Sequence, residues 1–374
     1  MKKIFILLIC FIFPIKVFAN NTMLAENSKS AIMLESSTGD IIYEKNIHER
    51  FNPASMTKMM SMLLIMEAID NEVIKWDDIV TVSENASSMG GSQILLETNE
   101  KMSVEDLFKG VAIASGNDAV VALAEKIAGS ETMFIKMMND KVKELGLKDT
   151  NFVNPHGLDA TNHYSSAYDM AIIARELVKY DKVLEYTSIY ETYLRKGTKK
   201  EIWLVNTNKL VRFYDGVDGL KTGYTNLAGY CLTATAKKDN MRIIAVVMGE
   251  PDSKTRNKEI SEMLDYSFAQ YTVTTVIKKN QVLDTIEIPN AKDDKYDIIS
   301  LDDVNILHKK GEKIDKNYKL KLNKINAPMK YKDSVGEITI SNGTKVNVTV
   351  AKDVEKANIL ELYLKNIRNV FVFN

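Results

Sequence analysis

The stretch Asn52-Pro53-Ala54-Ser55-Met56-Thr57-Lys58-Met59-Met60-Ser61-Met62-Leu63-Leu64-Ile65-Met66 decides how this chain is read. Met59, Met60, Met62, Leu63, Ile65 and Met66 form an apolar run long enough for a buried helix. Helix positions three apart share a face, so Lys58 stands one turn above Ser55 with its amine in reach of the hydroxyl. A serine hydroxyl alone is a poor nucleophile and needs an adjacent base. Lys58 serves as that base only when its amine is partly neutral, and burial at the head of an apolar helix lowers its pKa in that direction. The plain alternative is that Ser55, after Pro53-Ala54, only caps the helix.

Two further motifs follow at a distance. Ser115-Gly116-Asn117 comes after Leu107, Val111, Ala112 and Ile113 and before Ala119-Val120-Val121-Ala122-Leu123-Ala124, so it reads as a short loop between two buried helices. Ser115 would pass a proton from Lys58 to a leaving group. Asn117 has an amide that both donates and accepts, and would orient Lys58 or a substrate amide. Lys221-Thr222-Gly223 follows Gly216-Val217-Asp218-Gly219-Leu220 and precedes segments that alternate like strands. Lys221 with Thr222 would hold a terminal carboxylate, and its charge would lower the pKa of Lys58 further. Gly223 would let a substrate backbone lie close along the strand. Taken singly, Ser-Gly-Asn is a polar turn and Lys-Thr-Gly a solvated strand end; the ordered trio is what points to chemistry.

Together the motifs resemble the S-x-x-K, S-x-N and K-T-G set of the penicillin-binding proteins and serine β-lactamases. Segments 31–44, 52–58, 90–93, 113–124, 154–159, 165–169 and 217–248 resemble the D-alanyl-D-alanine carboxypeptidases. These are the low-molecular-weight penicillin-binding proteins that trim peptidoglycan, and the resemblance runs from Ser28 to Tyr271. It implies a β-lactamase-like fold and no cofactor. It also implies removal of the terminal D-alanine from stem peptides ending in D-Ala-D-Ala, with β-lactam antibiotics as covalent inhibitors. The oxyanion hole would be the backbone N–H groups of Ser55 and of Tyr224, the residue after K-T-G. Some relatives carry His where this chain has Tyr224.

Two rival readings share these residues. A serine β-lactamase of the same fold would need a second base for rapid deacylation. No Glu-bearing loop suits that, and the middle motif is Ser-Gly-Asn rather than Ser-Asp-Asn. A muropeptide-binding or β-lactam-binding sensor would acylate and barely turn over; intact Ser55, Lys58, Ser115 and Lys221 speak for retained chemistry.

Met1–Ala19 reads as a secretory signal: Lys2 and Lys3, the apolar Ile4–Phe13, and Val17-Phe18-Ala19 as cleavage site. Export to the outer face of the cytoplasmic membrane, the cell wall or the periplasmic space agrees with a cell-wall substrate. Of two Cys, Cys10 lies in that signal and Cys231 reads as a buried strand residue, so the mature chain forms no internal disulfide. Lys+Arg 49 against Asp+Glu 50 gives a net charge of -1, which argues against a nucleic-acid partner. The four His have no metal-ligand spacing, and no metal is expected. His156, in Asn154-Pro155-His156-Gly157-Leu158-Asp159, reads as a loop histidine that the family places near the active site.

With 374 residues, 45% hydrophobic, the chain has room for two domains. The expected fold class is α/β. Ala31–Leu34 and Ile41–Tyr43 flank a hairpin turn, helical patterns fill Ser55 to Val183, and Tyr230–Ala236 and Met241–Met248 read as strands. A helix is expected over Lys254–Gln270. This predicts an antiparallel sheet with a helical cluster over 28–271. After Thr272 short strands take over: Val276–Ile277, Thr285–Ile288, Asp297–Ile299, Tyr318–Leu322, Gly336–Ile340 and Lys345–Val350, a small all-β domain over 272–352. Residues 353–374 carry Leu360, Leu364, Ile367, Val370 and Phe371 near helical spacing, with Lys356, Lys365, Asn366, Arg368 and Asn369 between them. That pattern resembles the amphipathic helix that ends many family members at a membrane surface, the alternative being a helix docked on its own domain.

Overall fold

A computed structural model describes residues 23–372; the proposed signal Met1–Ala19 and Cys10 lie outside them. The central sheet has five antiparallel strands in the order Ile41–Lys45, Ser30–Glu35, Met241–Glu250, Gly229–Lys238, Val217–Thr225. The expected hairpin therefore supplies one edge, and the strand carrying Lys221-Thr222-Gly223 is the other. Ile243 to Met248 are buried without alternation, because the sheet is covered on both faces.

The pleat still sorts them. Ile244, Val246 and Met248 join Ile32 and Leu34 against the helical cluster. Ile243, Ala245 and Val247 join Ala31, Met33 and Leu232 against Ile260, Met263 and Leu264 of the helix Ser253–Gln270. Within the cluster, the helix Lys58–Asp70 is buried nearly all round, as an apolar run predicts. Around it stand helices Val104–Ala112, Asn117–Ala128, Glu131–Glu144 and Ala167–Leu177. Ser103, Ser130 and Ser166 cap three of them by accepting from the backbone N–H three residues on.

One correction applies here, and one element is unexpected. The helical middle is interrupted by a hairpin of Ile79–Thr81 with Lys101–Ser103, and a second hairpin pairs Glu191–Leu194 with Ile202–Val205. Strands this short carry too few residues for a period-two signal to emerge.

Between the helix Ser253–Gln270 and the terminal helix the chain is all β. Tyr271–Ile277 pairs with Val304–Lys309. A five-stranded sheet runs Val282–Ile286, Tyr296–Ser300, Lys345–Val350, Gly336–Ile340, Tyr318–Leu322, over Ile298, Ile338, Val348 and Val350. Val304–Lys309 was not expected: Leu307 between Ile306 and His308 blurs its alternation.

The terminal helix spans Ile359–Val372 and starts later than the expected Asp353, because Val354 and Lys356 bridge Met329 and Ala291. Ile359, Leu360, Tyr363 and Leu364 are exposed. Lys365 is held, donating to the carbonyls of Ala291 and Asp293 and pairing with Asp294 at 3.4 Å. The side chains of Asn366, Arg368, Asn369, Val370 and Phe371 lie outside the described residues. Among the described residues, no helix is long and apolar enough to cross a membrane.

Candidate active site

Ser55 sits in a 3-10 turn, Ala54–Thr57, that runs straight into the helix Lys58–Asp70. Ser55 makes no capping hydrogen bond there, so the plain helix-cap reading does not describe it. The turn is held from two sides by glycines. A Cβ on Gly223 would lie 2.8 Å from Pro53 O, so the edge strand presses directly on the turn. Gly157, at φ +91°, packs so closely that a Cβ would collide with the Ala54 carbonyl.

Lys58 is fully buried beneath Ser55. Its Nζ lies 3.2 Å from Ser55 Oγ, 2.6 Å from Asn117 Oδ1 and 2.7 Å from the His156 carbonyl oxygen. Asn117 Oδ1 and His156 O can only accept, whereas a hydroxyl both donates and accepts. A neutral amine has two N–H bonds and one lone pair. Donating to Asn117 and His156 uses both hydrogens and turns the lone pair on the Ser55 hydroxyl. Burial holds the Lys58 pKa well below its ordinary value, the charge of Lys221 adds to that, and Asp118 opposes it.

The Asn117 amide is fixed by donating from Nδ2 to Gly90 O at 2.7 Å. Ser115 occupies the loop between two helices, as the sequence predicts, in the left-handed region at φ +64°. Its Oγ is buried and has no hydrogen-bond partner among the described residues. Strain and an unused hydroxyl at one position mark a site held for a purpose other than folding.

Ser55, Ser115, Thr222, Gly223 and Tyr224 line one cleft of about 440 Å³, with Lys58 and Asn117 beneath it. Thr222 Oγ1 donates to Thr207 Oγ1 at 2.8 Å. Lys221 is only 1% exposed, with Nζ 3.1 Å from Thr222 O. Its pKa is pushed down to about 7 by burial and by the charge of Arg256.

The sequence does not announce Arg256, nor the part that His156 plays. Arg256 reaches the cleft from the first turns of the helix Ser253–Gln270 and is 5% exposed. Among the described residues its guanidinium hydrogen-bonds only the Asn257 amide oxygen, so the cleft contains a buried cation without a carboxylate bonded to it. No local motif announces it. His156 contributes its backbone carbonyl rather than its ring; burial and Lys58 depress the ring pKa to about 3, which leaves it neutral. None of the described residues lining the cleft is a carboxylate. Among the described residues, no cluster of His, Cys, Asp or Glu could hold a metal ion.

A family model described as D-alanyl-D-alanine carboxypeptidase matches residues 17–252, and one for the penicillin-binding protein 5 C-terminal domain matches residues 271–356. This chain belongs to the D-alanyl-D-alanine carboxypeptidase family. The carboxypeptidase is 50% identical over 344 residues to D-alanyl-D-alanine carboxypeptidase DacF of Bacillus subtilis (strain 168), covering 90% of this chain and 88% of that one. It is 35% identical to D-alanyl-D-alanine carboxypeptidase DacD of Escherichia coli (strain K12), covering 84% and 83%. Penicillin-binding protein 5 of Haemophilus influenzae superposes with a TM-score of 0.73 at 32% identity, over 89% of this chain and 98% of that one. Penicillin-binding protein D2 of Listeria monocytogenes, solved in its ampicillin-bound form, superposes at 0.59 and 30% identity, over 66% and 99%. The fold is thus a carboxypeptidase domain of mixed α/β type followed by an all-β unit, and the protein is a serine-type D-Ala-D-Ala carboxypeptidase.

Proposed function

We propose that Ser55 is the nucleophile, Lys58 its base, Ser115 the proton carrier and Asn117 the residue that orients Lys58. Ser55 Oγ attacks the carbonyl carbon of the penultimate D-alanine while its proton passes to Lys58 Nζ. The oxyanion is stabilised by the backbone N–H groups of Ser55 and Tyr224. Ser115 Oγ relays the proton from Lys58 to the nitrogen of the terminal D-alanine as the C–N bond breaks. Water then attacks the Ser55 ester, giving a proton to Lys58, and the serine oxygen recovers one as it leaves. Thr222 and Arg256 hold the terminal carboxylate, and Lys221 adds positive charge from beneath. The observation that carries this reading is the placement of Lys58 Nζ between two obligate acceptors and the Ser55 hydroxyl.

The absence of a carboxylate among the cleft-lining residues supports slow deacylation of penicillin rather than β-lactamase turnover. The test is D-alanine release from a soluble pentapeptide ending in D-Ala-D-Ala. Wild type releases it in steady state and Ser55→Ala does not. Fast steady-state hydrolysis of penicillin, or none of the peptide, would overturn the reading.

We also propose that Met1–Ala19 exports the chain, and that residues 28–271 and 272–352 form separate units. The exposed side chains of Ile359, Leu360, Tyr363 and Leu364 support a tail that rests on a membrane surface with the β unit as spacer. The proposed substrate is a peptidoglycan stem peptide, with β-lactams as covalent inhibitors.

A further inference from the structure

The hairpin Glu191–Leu194 with Ile202–Val205 spends large aromatic rings on solvent. Tyr193 and Trp203 are direct cross-strand partners, so their rings share one face of the ribbon. Tyr193 is 49% exposed and Trp203 56%. The opposite face is filled by Leu194 and Leu204, which are buried in the helical core, so the hairpin's own stability does not call for the outer pair. The chain has only two Trp, and the other, Trp76, packs edge-on against Phe108 in the core.

This aromatic face continues into the active-site cleft. Val205 lies two residues after Trp203 and therefore on the same face of the strand, and Val205 lines the cleft together with Thr207. The ribbon is also rigidly mounted. At its tip Arg195 bonds both oxygens of Glu100, at 2.6 and 3.0 Å, and donates to Ile94 O. At its base Asn206 donates to the carbonyls of Thr187 and Ile189. A surface fixed in advance costs little ordering when a ligand settles on it. The exposed turn adds positive charge at Lys196 and Lys199.

We propose that the Tyr193–Trp203 face binds a glycan strand of peptidoglycan alongside the cleft. The proposal rests on the polymer being the carboxypeptidase's substrate. A pyranose ring presents a flat array of C–H bonds that stacks on an aromatic face, and two exposed rings side by side on one face of the ribbon can meet consecutive sugars. The lysines at the turn suit the carboxylates of stem peptides hanging from that strand. Thr207, bonded to Thr222, puts this face on the side where the terminal D-alanine is anchored. The bound glycan is therefore a neighbouring strand, not the one whose stem is being cut. The polymer is held so that cleavage proceeds along a surface rather than one free peptide at a time.

Two measurements test this. Peptide-free glycan strands titrated into wild type should change Trp fluorescence, and the change should vanish in Trp203→Phe, which leaves only Trp76. D-Alanine release should then be compared on uncross-linked polymeric peptidoglycan and on the soluble pentapeptide. Trp203→Ala and Tyr193→Ala should each lower kcat/KM on the polymer about tenfold and leave the soluble peptide and penicillin acylation unchanged. Equal rates on the polymer for wild type and both variants, or a fluorescence response to anionic vesicles but not to glycan strands, overturns the proposal. Loss of activity on the soluble peptide by wild type itself would instead undo the carboxypeptidase reading.

Discussion

Lys58 Nζ lies 3.2 Å from Ser55 Oγ because a 3-10 turn feeds the helix and places the two side chains on one face. Nothing distant in sequence is needed to make that contact. What turns it into a base is the surrounding shell: Asn117 Oδ1 and His156 O accept from the amine, and burial disfavours its charged form.

The pH dependence of acylation follows from that shell. Lys58 acts neutral, so the rate falls on the acid side as it takes up a proton. Removing the nearby positive charge in Lys221→Gln raises the Lys58 pKa towards its ordinary value, and the acid limb moves to higher pH. The position of the limb is read separately from the overall rate. Pre-steady-state penicillin acylation from pH 5 to 10 measures it. Lys58→Ala should lose about 10²–10⁴-fold at every pH, because the hydroxyl has lost its base. An unmoved limb in Lys221→Gln would mean that the two lysines are not coupled.

Arg256 separates carboxylate binding from chemistry. Arg256→Ala should cost about 2–4 kcal/mol in transition-state terms on peptides with a free terminal carboxylate. On the amidated peptide the variant and wild type should be alike. Lys221→Ala should show the same preference with a further loss from its effect on Lys58. Equal losses on free and amidated peptides would remove Arg256 from the anchor.

A second titration lies behind the sheet. Ser28 Oγ is 2.5 Å from Glu250 Oε1 and 2.9 Å from Glu259 Oε2, yet it has one hydrogen to give. Asn27 donates to Glu259 through both its backbone N–H and Nδ2, which favours Glu259 as the ionised partner. Burial, then the hydrogen bond with Glu259, pushes the Glu250 pKa from 4.5 up to about 8. The folded state therefore holds a proton that the unfolded chain has lost in this interval. The stabilisation is complete below 4.5 and is lost as pH rises through about 8. Thermal melts of wild type and Glu250→Gln at pH 5 and pH 9 should show wild type losing ground to the variant at the higher pH. Parallel melting profiles would place the proton elsewhere.

The tail prediction is set by where the helix begins. Val354 and Lys356 belong to the β unit through their bridges, so the clean truncation removes 359–374. Each large apolar side chain inserted at a bilayer surface contributes about 1.5–3 kcal/mol, and a few suffice for reversible attachment. Full-length protein should pellet with anionic liposomes and the truncated protein should not, with pentapeptide hydrolysis unchanged. Equal pelleting would leave the tail as a structural helix docked through Lys365.

Much of the site was legible because its signals are local. Ser55 and Lys58 share a helix turn, Ser115-Gly116-Asn117 breaks between two apolar helices, and Lys221-Thr222-Gly223 sits on a strand. Tyr318–Leu322, Gly336–Ile340 and Lys345–Val350 were readable for the same reason. Arg256 was not, since it enters the cleft from a helix whose only sequence signature is its buried face. His156 was found by its loop, but its contribution is a backbone oxygen, which no side-chain pattern encodes. A glycine at 223 suggests room for substrate; the space a Cβ would need is taken by Pro53 O, so the glycine also sets how close the strand comes to the nucleophile's turn. The hairpin with Tyr193 and Trp203 escaped notice because four-residue strands give no reliable period.

The most direct test of the whole account is mass spectrometry of the folded protein after exposure to penicillin. One added penicilloyl group is expected, mapped by peptide digestion to the segment carrying Ser55, and none in Ser55→Ala. An adduct on any other residue, or an unmodified folded protein, would contradict it.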